Sequence, residues 1–179
     1  MKINWSLVIT GLVLAAALAW VLGKGFGRDP HEVPFMLTGK PAPAFTLERL
    51  NGAKGEAKLA DFAGKPLILN FWSTWCGPCK IEHPVIEWGF GKFGDRVQFV
   101  GVVYQDSREN VDAFLRESPP KYAMLFDENG RAAVDYGLAG VPETYFITKD
   151  GKIRYKHVGP LDPSRLTQEI RALLEDAPK

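Results

Sequence analysis

Cysteine is scarce in this chain: two residues among 179. A small secreted domain stapled by structural disulfides carries more. The fold must therefore stand on packing, which leaves one pair free for chemistry. An excess of charge of either sign is also missing. Lys and Arg total 22 against 21 Asp and Glu, a net charge of +1. No basic surface argues for nucleic acid, and no acidic tail is present. Neither an internal repeat nor a low-complexity segment appears. What is present is enough for an ordinary core: 46% of residues are hydrophobic, and the length predicts one domain plus an appendage.

Both cysteines fall in one stretch, Leu67-Ile-Leu-Asn-Phe-Trp-Ser-Thr-Trp-Cys76-Gly-Pro-Cys79-Lys-Ile-Glu82-His-Pro84. The apolar run from Pro66 to Trp72 predicts a buried strand. A Ser-Thr-Trp turn follows, and then a helix from Lys80 to about Phe93, interrupted at Pro84. A C-x-x-C between a strand and a helix N-terminus is a redox signature. Two intervening residues on a first helical turn bring the sulfurs within bridging distance. Cys76 would sit where free N–H groups and the helix dipole favour a thiolate. Cys79, one turn in, would be more covered and placed to resolve a mixed disulfide. Pro78 suits the first turn, where its missing N–H is not needed. A zinc site needs about four ligands, and no second C-x-x-C supplies them.

Trp75-Cys-Gly-Pro-Cys-Lys80 resembles the active-site string of the thioredoxin superfamily, and Pro84 matches the kink proline of its active-site helix. Gly140-Val-Pro-Glu-Thr144, about sixty-five residues downstream, resembles the loop whose cis-proline packs against that site. A cis X–Pro bond is a minority state that a fold must hold deliberately.

Ile3 to Gly23 carries no charge, which is about the length of a bilayer span. Trp5 and Trp20 lie near its ends, where interfacial aromatics belong. A cleaved signal peptide competes with an uncleaved anchor, since Ala17-Leu18-Ala19 fits the small-x-small cleavage pattern. The apolar run continues through Trp20-Val21-Leu22, which favours the anchor. A short N-terminus before an apolar segment acts as an export signal, placing the rest of the chain outside the cytoplasm. The expected organisation is an anchor over 1–23, a Gly- and Pro-rich linker over 24–38, and a folded domain over 39–179.

Ala44–Leu47 and Ala57–Leu59 bracket Asn51-Gly52, a hairpin pattern. Beyond the motif helix, Val97–Tyr104 reads as a second buried strand. Ser107 caps a helix to about Glu117, with Val111, Phe114 and Leu115 on one face. Met124–Phe126 is a short strand, and Arg131–Tyr136 a helical turn. Strands Thr144–Thr148 and Lys152–Val158 form a hairpin across Lys149-Asp-Gly151. A terminal helix runs from Pro163 to about Leu174. The fold class is α/β: a thioredoxin-like fold with a mixed central sheet, an N-terminal β-hairpin, a central strand–helix insertion and one preceding transmembrane helix.

Val102-Val-Tyr-Gln-Asp106, Phe126-Asp127, Glu82-His83, Gly140–Thr144 and Ile153–Leu161 narrow the resemblance to the cytochrome c biogenesis thiol:disulfide interchange family, CcmG/DsbE. That resemblance implies a membrane-tethered reductant facing the bacterial periplasm. It would reduce the haem-attachment disulfide of apocytochrome c or of a carrier protein, without cofactor or metal. A membrane electron transporter of the DsbD or CcdA kind would recharge it. Gly77-Pro78 and Gly137-Leu-Ala-Gly140 depart from the family's usual pairs, which keeps a general ResA/TlpA-type reductase as the alternative.

The implied roles are specific. Cys76 is the nucleophile and Cys79 the resolving thiol. Asn70 stands where thioredoxin usually has a buried aspartate, and an amide cannot move a proton. Glu82, three residues after Cys79, is expected to take over that transfer and tune the thiols. Trp75, Gly77, Pro78, Val141, Pro142 and Glu143 are expected to line the substrate surface. Pro142 would present neighbouring backbone to an extended peptide. His83 reads as a packing residue. A peroxiredoxin would need a Pro-x-x-x-Thr-x-x-Cys context, and none is present. A DsbA-like oxidant would need a larger helical insertion. A copper carrier of this fold would use C-x-x-x-C, one residue longer than the spacing here.

Overall fold

The computed structural model describes residues 4–25, 35–50 and 55–175. The chain divides into two compact units, Met1–Pro34 and Phe35–Lys179. The first contains α1, Trp5–Gly25, whose described side chains are exposed. A spanning anchor was expected here, but among the described residues no helix is long and apolar enough to cross a membrane. The side chains of Leu7, Val21 and Leu22, apolar residues near its ends, lie outside the described set.

The second unit is built on a seven-stranded mixed sheet. Its strands are β1 (Thr46–Arg49), β2 (Glu56–Lys58), β3 (Leu67–Trp72), β4 (Gln98–Tyr104), β5 (Ala123–Asp127), β6 (Glu143–Ile147) and β7 (Ile153–Val158). They lie in the order β2-β1-β5-β4-β3-β6-β7. Strands β3, β4 and β5 are parallel, and the flanking pairs are antiparallel. All six residues of β3 are buried. A strand covered on both faces reads as a continuous apolar run rather than an alternating one. The N-terminal hairpin β1–β2 is present, joined to β5. Its expected Asn51-Gly52 turn lies outside the described residues.

Four helices complete the unit: α2 (Gly77–Phe93), α3 (Arg108–Glu117), α4 (Arg131–Asp135) and α5 (Pro163–Glu175). Helix α2 is not interrupted at Pro84, as expected from the sequence, but runs through it. A proline removes one backbone bond. The buried face on either side of it, Cys79, Glu82, Ile86, Gly89 and Phe93, holds the helix by packing. Gly89 is the point of closest approach to α5: a Cβ there would lie 2.6 Å from Leu166 Cδ2. Ser107 caps α3 by accepting from the Asn110 N–H. Asp162 caps α5, its Oδ1 accepting from the N–H groups of Ser164 and Arg165.

The sheet separates two cores. One holds Ile68, Trp72, Cys76, Cys79, Ile86, Leu166 and Ile170; the other holds Leu69, Phe71, Tyr136, Tyr145 and Ile153. Phe35 and Leu37, from the stretch expected to be linker, pack on the second core. Gly39 and Ala42 donate to the carbonyls of Ile153 and Gly151, and the Ile153 N–H donates to the Lys40 carbonyl, so this segment pairs with the outer edge at the start of β7. That stretch is closed to pairing with another chain.

Gly101 in β4 has no room for a side chain: a Cβ would clash with Met124 Sδ and lie 3.2 Å from Trp72 Nε1. We predict that Gly101→Ala lowers unfolding free energy by about 1–3 kcal/mol, the usual range for an overpacked core. Urea denaturation checks this, and an unchanged midpoint would refute it.

Candidate functional site

Cys76 and Cys79 are joined by a disulfide with 5.3 Å between their Cα atoms. Cys76 occupies the N-cap of α2, and its sulfur accepts from the Cys79 N–H at 3.1 Å. Free N–H groups at a helix start favour negative charge, so the local fold is prepared for a Cys76 thiolate. Pro78 sits in the first turn, as its missing donor allows. Both sulfur-bearing residues are buried, while Gly77 and Pro78 are exposed beside them.

The Val141–Pro142 peptide is cis. The Val141 carbonyl oxygen lies 3.5 Å from Cys76 Sγ. When Cys76 is a thiol, that oxygen is placed to accept a hydrogen bond from it. Val141 is half-buried and Pro142 is buried. Trp75 is 59% exposed, and its indole N–H donates to the Gln105 carbonyl at 2.8 Å. Its approach is set by the backbone N–H of Thr74, which donates to Asp106 Oδ2. The accessible rim therefore consists of Trp75, Gly77, Pro78 and Val141. Contrary to the sequence expectation, buried Pro142 does not join that rim, and neither does Glu143. It is fully buried, and its Oε2 pairs with Lys156 Nζ at 2.8 Å. Strand alternation turns it away from the face on which Thr144 meets Asn70.

Glu82 lies one turn beyond Cys79 on the buried face of α2 and is 1% exposed. Its Oε1 accepts from the Leu161 N–H at 2.9 Å, and its Oε2 from Asn70 Nδ2 at 2.9 Å. The second Asn70 N–H donates to Thr144 Oγ1 at 2.9 Å. Burial pushes the Glu82 carboxyl up to about 7; the hydrogen bonds from Leu161 and Asn70 oppose that rise. Asn70 thus holds the acid in place rather than moving a proton itself. Its position was legible as an amide between inward-facing Ile68 and Trp72. The Leu161 donor carried no sequence signal, because it is backbone.

His83 packs among Trp72, Phe114 and Tyr122, with ring centroids 5.2–6.5 Å away. Burial lowers its pKa, and the Glu87 charge opposes this. The packing reading from the sequence matches that setting.

Comparison with known proteins places these features in a lineage. The Redoxin family matches residues 37–174. The thiol:disulfide interchange protein DsbE of Escherichia coli is 41% identical over 172 residues, 94% of this chain and 91% of that protein. The thiol:disulfide interchange protein HelX of Rhodobacter capsulatus is 36% identical over 163 residues, 88% of this chain and 90% of its own length. A Chlorobium tepidum crystal structure described as a DsbE superposes with a TM-score of 0.71 at 31% identity, over 76% of this chain and 97% of that one.

The raised Glu82 carboxyl makes stability depend on pH. Unfolded, the group ionises from about pH 4.5; folded, it stays protonated to about 7. Its contribution is complete at low pH and is lost as pH climbs through both values. The loss amounts to about 3 kcal/mol by pH 8, at 1.36 kcal/mol per pK unit. We expect Glu82→Gln to flatten the stability profile between pH 5 and pH 8, read by denaturant melts. A parent and variant with parallel profiles would show that Glu82 does not titrate in this range.

Proposed function

This chain belongs to the Redoxin family, with DsbE and HelX thiol:disulfide interchange proteins as close homologues, and from that premise we propose that it is an extracytoplasmic reductant serving cytochrome c maturation. It is a thiol:disulfide oxidoreductase. The observation that carries the functional reading is the Cys76–Cys79 disulfide at the start of α2, with the Val141 carbonyl beside Cys76.

In the proposed cycle the Cys76 thiolate attacks one sulfur of a substrate disulfide. The substrate S–S bond breaks, and one substrate sulfur leaves as a thiolate and takes up a proton. Cys76 is then held in a mixed disulfide. Cys79 gives its proton to the Glu82 carboxylate and attacks Cys76 Sγ. The mixed disulfide breaks, and the second substrate sulfur leaves as a thiolate and takes up a proton, the one held by Glu82 being returned. Two electrons have passed to the substrate, and the Cys76–Cys79 disulfide of this structure remains. An acid that titrates near 7 suits this transfer, since it accepts and releases a proton near neutral pH. A membrane electron donor of the DsbD or CcdA kind would return two electrons.

The substrate we assign is the disulfide of apocytochrome c or of a maturation carrier, bound as extended chain against Val141 and Trp75. Support comes from the near-full-length similarity to DsbE and from the sequence strings shared with the cytochrome c biogenesis family. Membrane attachment through residues 1–23, with the folded domain in the periplasm, belongs to the same proposal. It rests on the uncharged run from Ile3 to Gly23.

Two measurements test this reading. Equilibration against dithiothreitol should give the full chain a reduction potential of about −200 mV or lower, toward the thioredoxin end of the scale. A value near about −120 mV, the range of a strong oxidant, would overturn the reductant assignment. After alkaline carbonate extraction of expressing cells, the chain should remain in the membrane pellet, and a form lacking residues 1–34 should not. Release of the full chain to the supernatant would remove the anchor.

A further inference from the structure

The second core contains a charged group that the exchange cycle does not use. Lys156 Nζ lies 2.8 Å from Glu143 Oε2 and donates to the Gly137 carbonyl at 3.0 Å. Its side chain is 8% exposed, and that of Glu143 is fully buried. Glu143 Oε1 accepts from the Ala139 N–H at 3.2 Å. Tyr145 Oη stands 3.0 Å from both Glu143 Oε2 and the Tyr136 carbonyl. Phe35 closes the cluster: its ring packs edge-on against Tyr145, and Lys156 Nζ lies 4.7 Å from its centroid.

The placement of Lys156 is unexpected for its strand. Simple alternation from buried Ile153 would send Tyr155 inward and Lys156 outward. The register shifts by one residue between Phe146 and Ile147, which pair with Tyr155 and Ile153. An extra residue in one strand moves the following side chains to the other face. Lys156 therefore falls opposite Tyr145, on the side of Glu143.

Residues 137 and 143 bound the loop that carries Val141–Pro142. Lys156 binds the first through its carbonyl and the second through its carboxylate. One ammonium thus closes the loop across its mouth, and Glu143 ties back to Ala139 inside it. Gly137 has φ +62, a left-handed backbone conformation that glycine adopts without a Cβ penalty.

We propose that Lys156 is a positioning residue for thiol exchange with polypeptide substrates, holding the 137–143 loop so that the Val141 backbone meets both Cys76 and the incoming chain. It touches neither sulfur nor substrate. A peptide that pairs with the Val141 backbone depends on this position, whereas a small disulfide needs only Cys76. Misplacing a docking group by about 1 Å costs up to about 100-fold in rate.

The inference rests on the reductase reading above, and the test separates the two. Full-length protein in detergent is pre-reduced and mixed in single turnover with an oxidised C-x-x-C peptide or with hydroxyethyl disulfide. Lys156→Met should lower the ratio of the peptide rate to the small-disulfide rate by about 10- to 100-fold. That variant leaves Glu143 buried without its counter-charge and is at risk of misfolding. The double variant Glu143→Gln/Lys156→Met removes the stranded charge and keeps the question open to measurement. It still lacks the tie to the Gly137 carbonyl, so its ratio should also fall. A double variant with the parent ratio would overturn the proposal, since the pair would then serve neutralisation alone. A parent protein that reduces hydroxyethyl disulfide but not the peptide would overturn this inference and leave the reductase reading standing, whereas one that reduces neither would overturn the reductase reading.

Discussion

The hydrogen bonds to one buried carboxyl group register the redox centre. Glu82 accepts from Asn70 on β3 and from the Leu161 backbone ahead of α5. Asn70 in turn donates to Thr144 at the start of β6. The helix that carries both cysteines is thereby fixed against the central strand and against the residues that follow the cis-proline. A buried carboxyl without partners would cost several kcal/mol. Here both oxygens are satisfied, yet among the described residues no cation stands beside them. Desolvation therefore prevails and the acid stays protonated toward neutral pH. The constraint that orders the site also makes it chemically responsive.

Two glutamates show how environment separates roles. Glu82 has no counter-charge among the described residues, and burial pushes it up to about 7. Glu143 is equally buried but carries an ion pair with Lys156. The two acids lie on opposite faces of the sheet: Glu82 reaches Asn70 from α2, on the side to which Thr144 points, and alternation along β6 turns Glu143 the other way, toward Tyr145. One face holds the uncompensated acid on the helix that follows the cysteines, and the other holds the ion pair that ties the ends of the 137–143 loop. Phe35, ahead of the first strand, packs onto that second group, so the folded unit begins earlier than Pro and Gly content suggests.

Much of the fold was legible in local sequence. The buried runs of β3 and β4 are long and apolar, the caps at Cys76 and Ser107 are local, and the hairpin around Lys149-Asp150-Gly151 has its turn chemistry in place. Pro84 misled for a physical reason: a lost backbone bond is a local penalty, and packing on five buried positions of α2 outweighs it. Glu143 misled because its neighbour in sequence is a loop, while its partner lies thirteen residues away on the next strand.

The sequence by itself determined the chemistry: a C-x-x-C at a helix start, an acid one turn beyond Cys79, an amide on the strand beneath, and a Val-Pro loop downstream. These are local patterns, set by helical and strand periodicity. Tertiary structure alone decided which groups meet. It took a backbone donor at Leu161 to complete the Glu82 site and a one-residue register shift in β7 to turn Lys156 inward. Neither is written in local periodicity. A backbone N–H has no residue identity, and a shifted register is settled by what the two strands can bury together.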